Sequence, residues 1–241
     1  MGKYLVFNLY GPLVSWGEIA VGQVRHSANC PSKSVVLGLV AAALGIRREE
    51  EARHLAMASA YGFGVKVISA GNVLKDYHTS QVPPSQNKVV FHTRRDELRS
   101  AKLGTVLSSR EYRCDALSVA AIWQKQEDAP YSLEQIADAL KRPVFTLYLG
   151  RKSCSPALPL APGVLEQKTL KAALDRPVEE VFLKTIQGRL RGTAARYYWD
   201  ETEDAGIGVI KRIIGHDALL SRKRWQYGMR EVMMGFEQEE R

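Results

Sequence analysis

The sequence has three cysteines, Cys30, Cys114 and Cys154, and none belongs to a CxxC pair. An odd number without paired spacing signals neither a disulfide framework nor a zinc site. The five histidines, His26, His54, His78, His92 and His216, show no HExxH and no paired spacing, so no metal centre is expected. The GxxxxGK[ST] spacing is missing too. Gly150-Arg151-Lys152-Ser153 is only loosely a phosphate cradle, and a nucleoside triphosphatase of that kind is set aside. Gly62-x-Gly64 falls at the start of a strand rather than between strand and helix, so it is no dinucleotide fingerprint. No apolar run reaches the ~20 residues that a bilayer span requires. Residues 1–8 lack the anatomy of an export signal. The expectation is therefore a protein without cofactor, metal or membrane, in the reducing cytoplasm.

Negative charge is in deficit. Lys and Arg number 34 against 26 for Asp and Glu, giving a net charge of +8 over 241 residues and a pI of about 9.4. The balance favours a polyanionic partner. Hydrophobic content of 45% and charged content of 25% are those of an ordinary globular chain.

The chain is organised around Cys30-Pro31-Ser32-Lys33-Ser34 and the apolar run Val35 to Leu44 that follows. A helix that is apolar all round is buried. Pro31 or Ser32 suits its entry, and Gly45 suits a left-handed close. Lys33 adds a cation where the helix dipole is already positive. That clash is relieved by an outside anion at the helix start, or by Lys33 swinging into water.

Around this helix, Tyr4–Tyr10 reads as a first strand ended by Gly11-Pro12. Residues 47–60 read as an amphipathic helix with Leu55, Ala56, Ala58 and Ser59 inward and His54 on the surface. Tyr61–Leu74 reads as a second strand and Cys114–Gln124 as a third. A helix with a Ser132/Gln135 capping box follows, then a fourth strand over Pro143–Leu149. Between the second and third strands, residues 77–112 are basic and too long for a plain loop, which points to a projecting arm.

The order predicts an α+β fold, with an RRM-like or ferredoxin-like antiparallel sheet, helices on one face and the other face free. The first domain covers residues 1–150 with the arm inserted at about 77–112. Residues 151–241 form a smaller β-rich C-terminal module, with strands expected over 193–199, 207–214 and 225–236.

Basic clusters recur. Arg94, Arg95 and Arg99 lie in the arm, Arg110 and Arg113 at its base, and Arg151-Lys152 after the fourth strand. Arg189, Arg191 and Arg196 follow, and Arg222-Lys223-Arg224 adjoins Trp225 and Tyr227. Arg binds phosphate bidentately and stacks on bases, and basic residues interleaved with aromatics suit single-stranded nucleic acid. A second chemistry is possible on the same scaffold. His78 or His92 with Lys88 and Tyr77 could supply the base, the cation and the acid of a metal-independent endoribonuclease.

Four stretches in series carry a family pattern. They are Gly11-Pro12-x-x-x-Trp16-Gly17; Pro31–Leu39 with Ala43-Leu44-Gly45-Ile46-Arg47; Ser109-Arg110-Glu111-Tyr112-x-x-Asp115-Ala116; and Leu149–Cys154 with Pro159-Leu160. Together they resemble the CasD subunits of type I-E CRISPR Cascade complexes over residues 4–160. The resemblance implies a non-catalytic RNA-binding subunit whose RRM-like body and thumb-like arm hold the repeat-derived 5′ handle of the CRISPR RNA. It implies an end cap on the assembly, the thumb against a neighbouring backbone subunit, contact with the large subunit, and indirect support of target DNA recognition in antiviral defence. A related branch cuts RNA itself, which keeps the processing endoribonuclease as the alternative. The residues the resemblance assigns to RNA are Arg25, Lys33, Ser34, Arg110, Tyr112, Arg151, Lys152 and Ser153. Arg94 and Arg95 join them on composition alone.

Overall fold

A computed structural model describes residues 1–85, 89–99, 102–190, 194–200, 202 and 205–237. It has mixed α/β architecture around one large sheet, antiparallel but for a single short parallel pairing. β1 (Gly2–Val14) lies between β6 (Gly163–Gln167) and β5 (Gly104–Gln124). Beyond β5 come β3 (Tyr61–Ser69), β7 (Arg196–Trp199), β9 (Gln226–Phe236) and β8 (Lys211–Ser221). Two strands pair with the first half of β5: β2 (Val24–Arg25), in parallel, and β4 (Asn72–Val82).

β1 explains why the sheet is central. Its residues 4–11 are all buried, and strand alternation divides them between two faces. Leu5, Phe7 and Leu9 join one core with α1 (Lys33–Ala43), α2 (Glu51–Ala60) and α4 (Leu133–Lys141). Tyr4 and Val6 join a second core with Trp199, Tyr197 and α5 (Leu170–Leu174). Both faces are therefore covered, against the expected free face. The sheet aromatics Tyr4, Tyr197 and Trp199 are buried and offer no platform for bases.

Other expectations are corrected. β1 does not end at Gly11-Pro12 but runs on to Val14. Pro12 is tolerated because β6 pairs only residues 2–6 of β1, so at Pro12 the strand lacks that neighbour and no ladder donor is missed. Residues 143–149 form no strand. The Val144 and Phe145 N–H groups donate to the Ala43 and Ala42 carbonyls at the end of α1, and Leu147 and Leu149 fill the core. The place beside β1 is taken by β6 instead. Beyond β3, the C-terminal strands β7, β9 and β8 extend the same sheet.

The α1 helix is as its composition predicts. Ser32 caps it by accepting from the Val35 N–H at 3.4 Å, and Gly45 closes it at φ +72°. α2 buries His54, Met57 and Ala60, while of the expected inner face Leu55, Ala56 and Ser59 are exposed and Ala58 is half-buried. The His54 ring nitrogen Nε2 lies 3.0 Å from the Arg47 carbonyl. The capping box of α4 is formed in both directions by Ser132 and Gln135.

Candidate nucleic-acid interface

Charged residues from four separate stretches meet where β4 and β5 leave the body of the sheet. β2 brings Arg25 alongside Arg110 in parallel register. β4 brings Lys75 opposite Glu111 and Asp76 opposite Arg110. The turn at residues 149–154 brings Arg151, Lys152 and Ser153. Alternation puts Arg110 and Tyr112 on one face of β5 and Glu111 and Arg113 on the other.

Tyr112 is buried, and its ring serves as a floor for the Arg151 guanidinium, which lies 4.6 Å from its centroid. Arg151 Nη1 also donates to the Glu111 carbonyl at 3.3 Å. The two anchors fix the guanidinium before any ligand arrives. Cation–aromatic contact of this kind contributes on the order of 1 kcal/mol. Arg113 donates to the Ser27 carbonyl through Nε and Nη2, at 3.3 and 3.2 Å, and so ties down the loop that carries Arg25.

Glu111 is the buried carboxylate of this cluster. Oε2 lies 3.2 Å from His26 Nδ1 and accepts from the Ser27 N–H at 3.4 Å, and Oε1 lies 3.7 Å from Lys75 Nζ. Burial pushes its pKa up, but His26, the Ser27 N–H and Lys75 outweigh that and hold it below the usual carboxylate range. Glu111 thus organises the loop and leaves Arg25, Arg110, Arg151 and Lys152 without a carboxylate partner among the described residues. Arg25, Lys152 and Ser153 are exposed; Arg110 and Arg151 are half-buried.

The turn itself depends on Gly150, which sits at φ +92°. A Cβ there would lie 1.7 Å from the Ser15 carbonyl oxygen. The close approach is stitched by the Ser15 N–H donating to the Leu149 carbonyl at 3.0 Å and by a Leu149 N–H to Cys154 carbonyl bond of 2.6 Å.

Lys33 and Ser34 belong to a different network. Lys33 is buried rather than turned to water, and its Nζ lies 2.9 Å from Asp200 Oδ2. Asp200 also pairs with Arg230, whose Nε reaches Asp217 Oδ1 at 2.6 Å. Asp217 Oδ2 accepts from the Ser34 N–H at 3.3 Å. The anion at the start of α1 is the protein's own carboxylate, which meets the helix dipole as an external phosphate would. Burial pushes the Lys33 pKa down, and Asp200 offsets only part of that.

The sequence profile of the family described as CRISPR-associated protein (Cas_Cas5) matches residues 4–233. The chain belongs to this Cas5 family. It is 30% identical over 182 residues to the CRISPR system Cascade subunit CasD of Escherichia coli (strain K12), across 72% of this chain and 76% of that one. Among solved structures, a chain of a CRISPR RNA-guided surveillance complex superposes with a TM-score of 0.65 at 24% identity, covering 97% of this chain and 89% of that one. A second, described as a crystal structure of a Cas protein, superposes with a TM-score of 0.56 at 25% identity, covering 97% and 94%.

In this Cas5-family chain Arg94 and Arg95 stand apart from the cluster. They lie on α3 (Arg94–Leu98), where Arg94 pairs with Glu97 and with the Gln81 carbonyl. Gln81 is five residues beyond Asp76 along β4, a separation of about 17 Å. Of the ribonuclease candidates, Lys88 lies outside the described residues. Tyr77 and His78 are adjacent on β4 and so face opposite ways, and His78 Nε2 is 2.5 Å from Asp76. Lys75 and the Glu111 carboxylate are not among the site residues expected from the sequence. Their pairing depends on the β4–β5 register, which starts from Asn72 opposite Cys114, and a single strand drawn over residues 61–74 hides it.

Proposed function

We propose that this Cas5-family chain is a subunit of a Cascade-type CRISPR surveillance complex that holds the repeat-derived 5′ handle of the CRISPR RNA and does not cut it. The observation that carries this is the convergence of Arg25, Arg110, Arg151 and Lys152, with Arg151 held on Tyr112 and the local carboxylate already engaged by His26, Ser27 and Lys75. A single-stranded handle can be splayed over such a surface, its phosphates paired to guanidinium groups and its bases left free to stack or be read. Ser153 adds a hydroxyl to the same rim.

The body is RRM-like in this reading. What supports it is the run β6-β1-β5-β3, which is the strand order of a split βαβ unit with helices crossing between strands. The β4–β5 hairpin is the thumb. Its exposed Val73, Leu74, Tyr77 and Val106 form apolar surface of the kind that a neighbouring subunit covers, which fits a chain that caps the backbone of the assembly and touches the large subunit. Target DNA recognition is then supported indirectly, through the positioned guide.

The test is incubation of the chain with labelled CRISPR repeat RNA in EDTA, read on native and denaturing gels. The expected result is a shifted, intact RNA. Arg110→Ala and Lys152→Ala should each weaken the shift and lower the salt dependence by about 0.7 per lost phosphate contact. A discrete cut within the repeat, abolished by His78→Ala, would replace this reading with the endoribonuclease.

A further inference from the structure

The handle reading leaves unused a second cationic surface, at the tip of the β8–β9 hairpin. Residues 222–225 join the two strands as Arg222-Lys223-Arg224-Trp225. Arg222 lies 4.1 Å and Arg48 4.4 Å from the centroid of the Trp225 ring. Trp225 is 53% exposed and holds a left-handed backbone at φ +54°, a conformation that a bulky residue keeps only when its surroundings impose it.

Here the surroundings are the start of α2 and the turn's own side chains. The Lys223 N–H donates to Glu51 Oε2 at 2.8 Å, Arg48 Nη2 donates to the Lys223 carbonyl at 3.5 Å, and Arg222 Nη1 donates to the Tyr227 hydroxyl at 2.9 Å. The hairpin tip is thereby docked onto the start of α2. Glu51 is held below its usual pKa by the Ser221 hydroxyl and the turn N–H groups, so it serves the backbone of the turn rather than its cations. Glu50 is taken up by Arg53 and the Arg47 N–H. Among the described residues Arg48, Arg222, Lys223 and Arg224 make no ion pair with a carboxylate.

We propose that this tip is a second nucleic-acid contact, blind to sequence, that takes the phosphate backbone of double-stranded DNA. Two guanidinium groups already lie against the indole, so the ring orders cations instead of serving as an open platform for bases. Single strands are held by such platforms; a duplex keeps its bases stacked and offers a dense, regular row of phosphates. A convex turn with unpaired cations and a preordered guanidinium pair fits the second and not the first. Phosphate contacts position a nucleic acid without reading it. The patch shares no residue with the cluster around Arg110 and Arg151, so it and the handle site are free to act on separate strands.

The test compares the full wild-type chain with Lys223→Glu/Arg224→Glu, binding a short blunt duplex DNA and, separately, repeat RNA, over a salt series. The variant keeps Arg48 and Arg222, whose guanidinium groups lie against the indole, so it should melt with the wild type. The double variant should bind duplex DNA about tenfold more weakly, with a salt slope shallower by about two, and should bind repeat RNA as before. Two duplexes of unrelated sequence should behave alike. Wild-type duplex binding by the variant, an equal loss on both ligands, or no duplex binding by the wild type would each overturn the proposal. Arg110→Ala on the same RNA reports separately on the handle site.

Discussion

Asp200→Ala should cost about 3–5 kcal/mol of folding stability, the usual result of removing one partner from a buried ion pair. That is a large share of the ~5–15 kcal/mol by which a domain is stable. Asp200 is the hinge of the network: its side chain is 9% exposed, and it alone faces both Lys33 and Arg230. Arg230 keeps Asp217 when Asp200 is lost, but the Lys33 ammonium, at 11% exposure, keeps no carboxylate among the described residues. The cost therefore arises at Lys33. Lys33→Met, which removes the stranded charge and leaves Asp200 with Arg230, should be much milder, and adding it to Asp200→Ala should recover part of the loss. Denaturant titration of the three variants checks the argument. It fails if Asp200→Ala stays within about 1 kcal/mol of the wild type, or if the double variant is no more stable than Asp200→Ala. Lys33→Met should also leave the salt slope of RNA binding unchanged, because the charge it removes is already engaged inside the protein.

That network shows where the sequence stops being legible. The helix over 33–44, its Ser32 cap and its Gly45 close follow from local composition, and so does the Ser132/Gln135 box, because capping is settled within a few residues. The partner of Lys33 lies 167 residues away and that of the Ser34 N–H 183 away. No local pattern announces them. The amphipathic helix expected over residues 47–60 forms over 51–60 with a different inner face, because β8 packs on it and His54 finds the Arg47 carbonyl inside. Residues 143–149 alternate as a strand would, yet their N–H groups complete the end of α1 instead of a ladder. The basic residues of the interface follow from the family resemblance, and Arg25, Arg110 and Arg151 lie close together in the fold. The face that Lys75 and Glu111 share needed the register of β4 on β5. Arg94 and Arg95 drew attention by charge alone, and the structure leaves them about 17 Å up the hairpin.

Gly150→Ala should damage both the fold and the interface. At φ +92° an L residue is strained, at about 1–3 kcal/mol, and the new methyl group would meet the Ser15 carbonyl oxygen at 1.7 Å. Backbone cannot rotate aside as a side chain can. Relief requires that the turn and the end of β1 separate, which breaks the Ser15 to Leu149 hydrogen bond and uncovers Leu149, now 1% exposed. A total of roughly 3 kcal/mol or more is expected once the lost bond and the exposed leucine are added. The same movement lifts Arg151 from the Tyr112 ring and takes Lys152 with it, so repeat RNA should bind about tenfold or more weakly, as for the loss of two phosphate contacts. Lys152→Ala separates the two effects: its side chain is exposed, so it should weaken RNA binding with no change in melting temperature. Gly150→Ala melting with the wild type would show that the turn is not wedged against Ser15. A destabilised Gly150→Ala that still binds RNA at full strength would instead show that the cations at 151 and 152 lie outside the RNA contact.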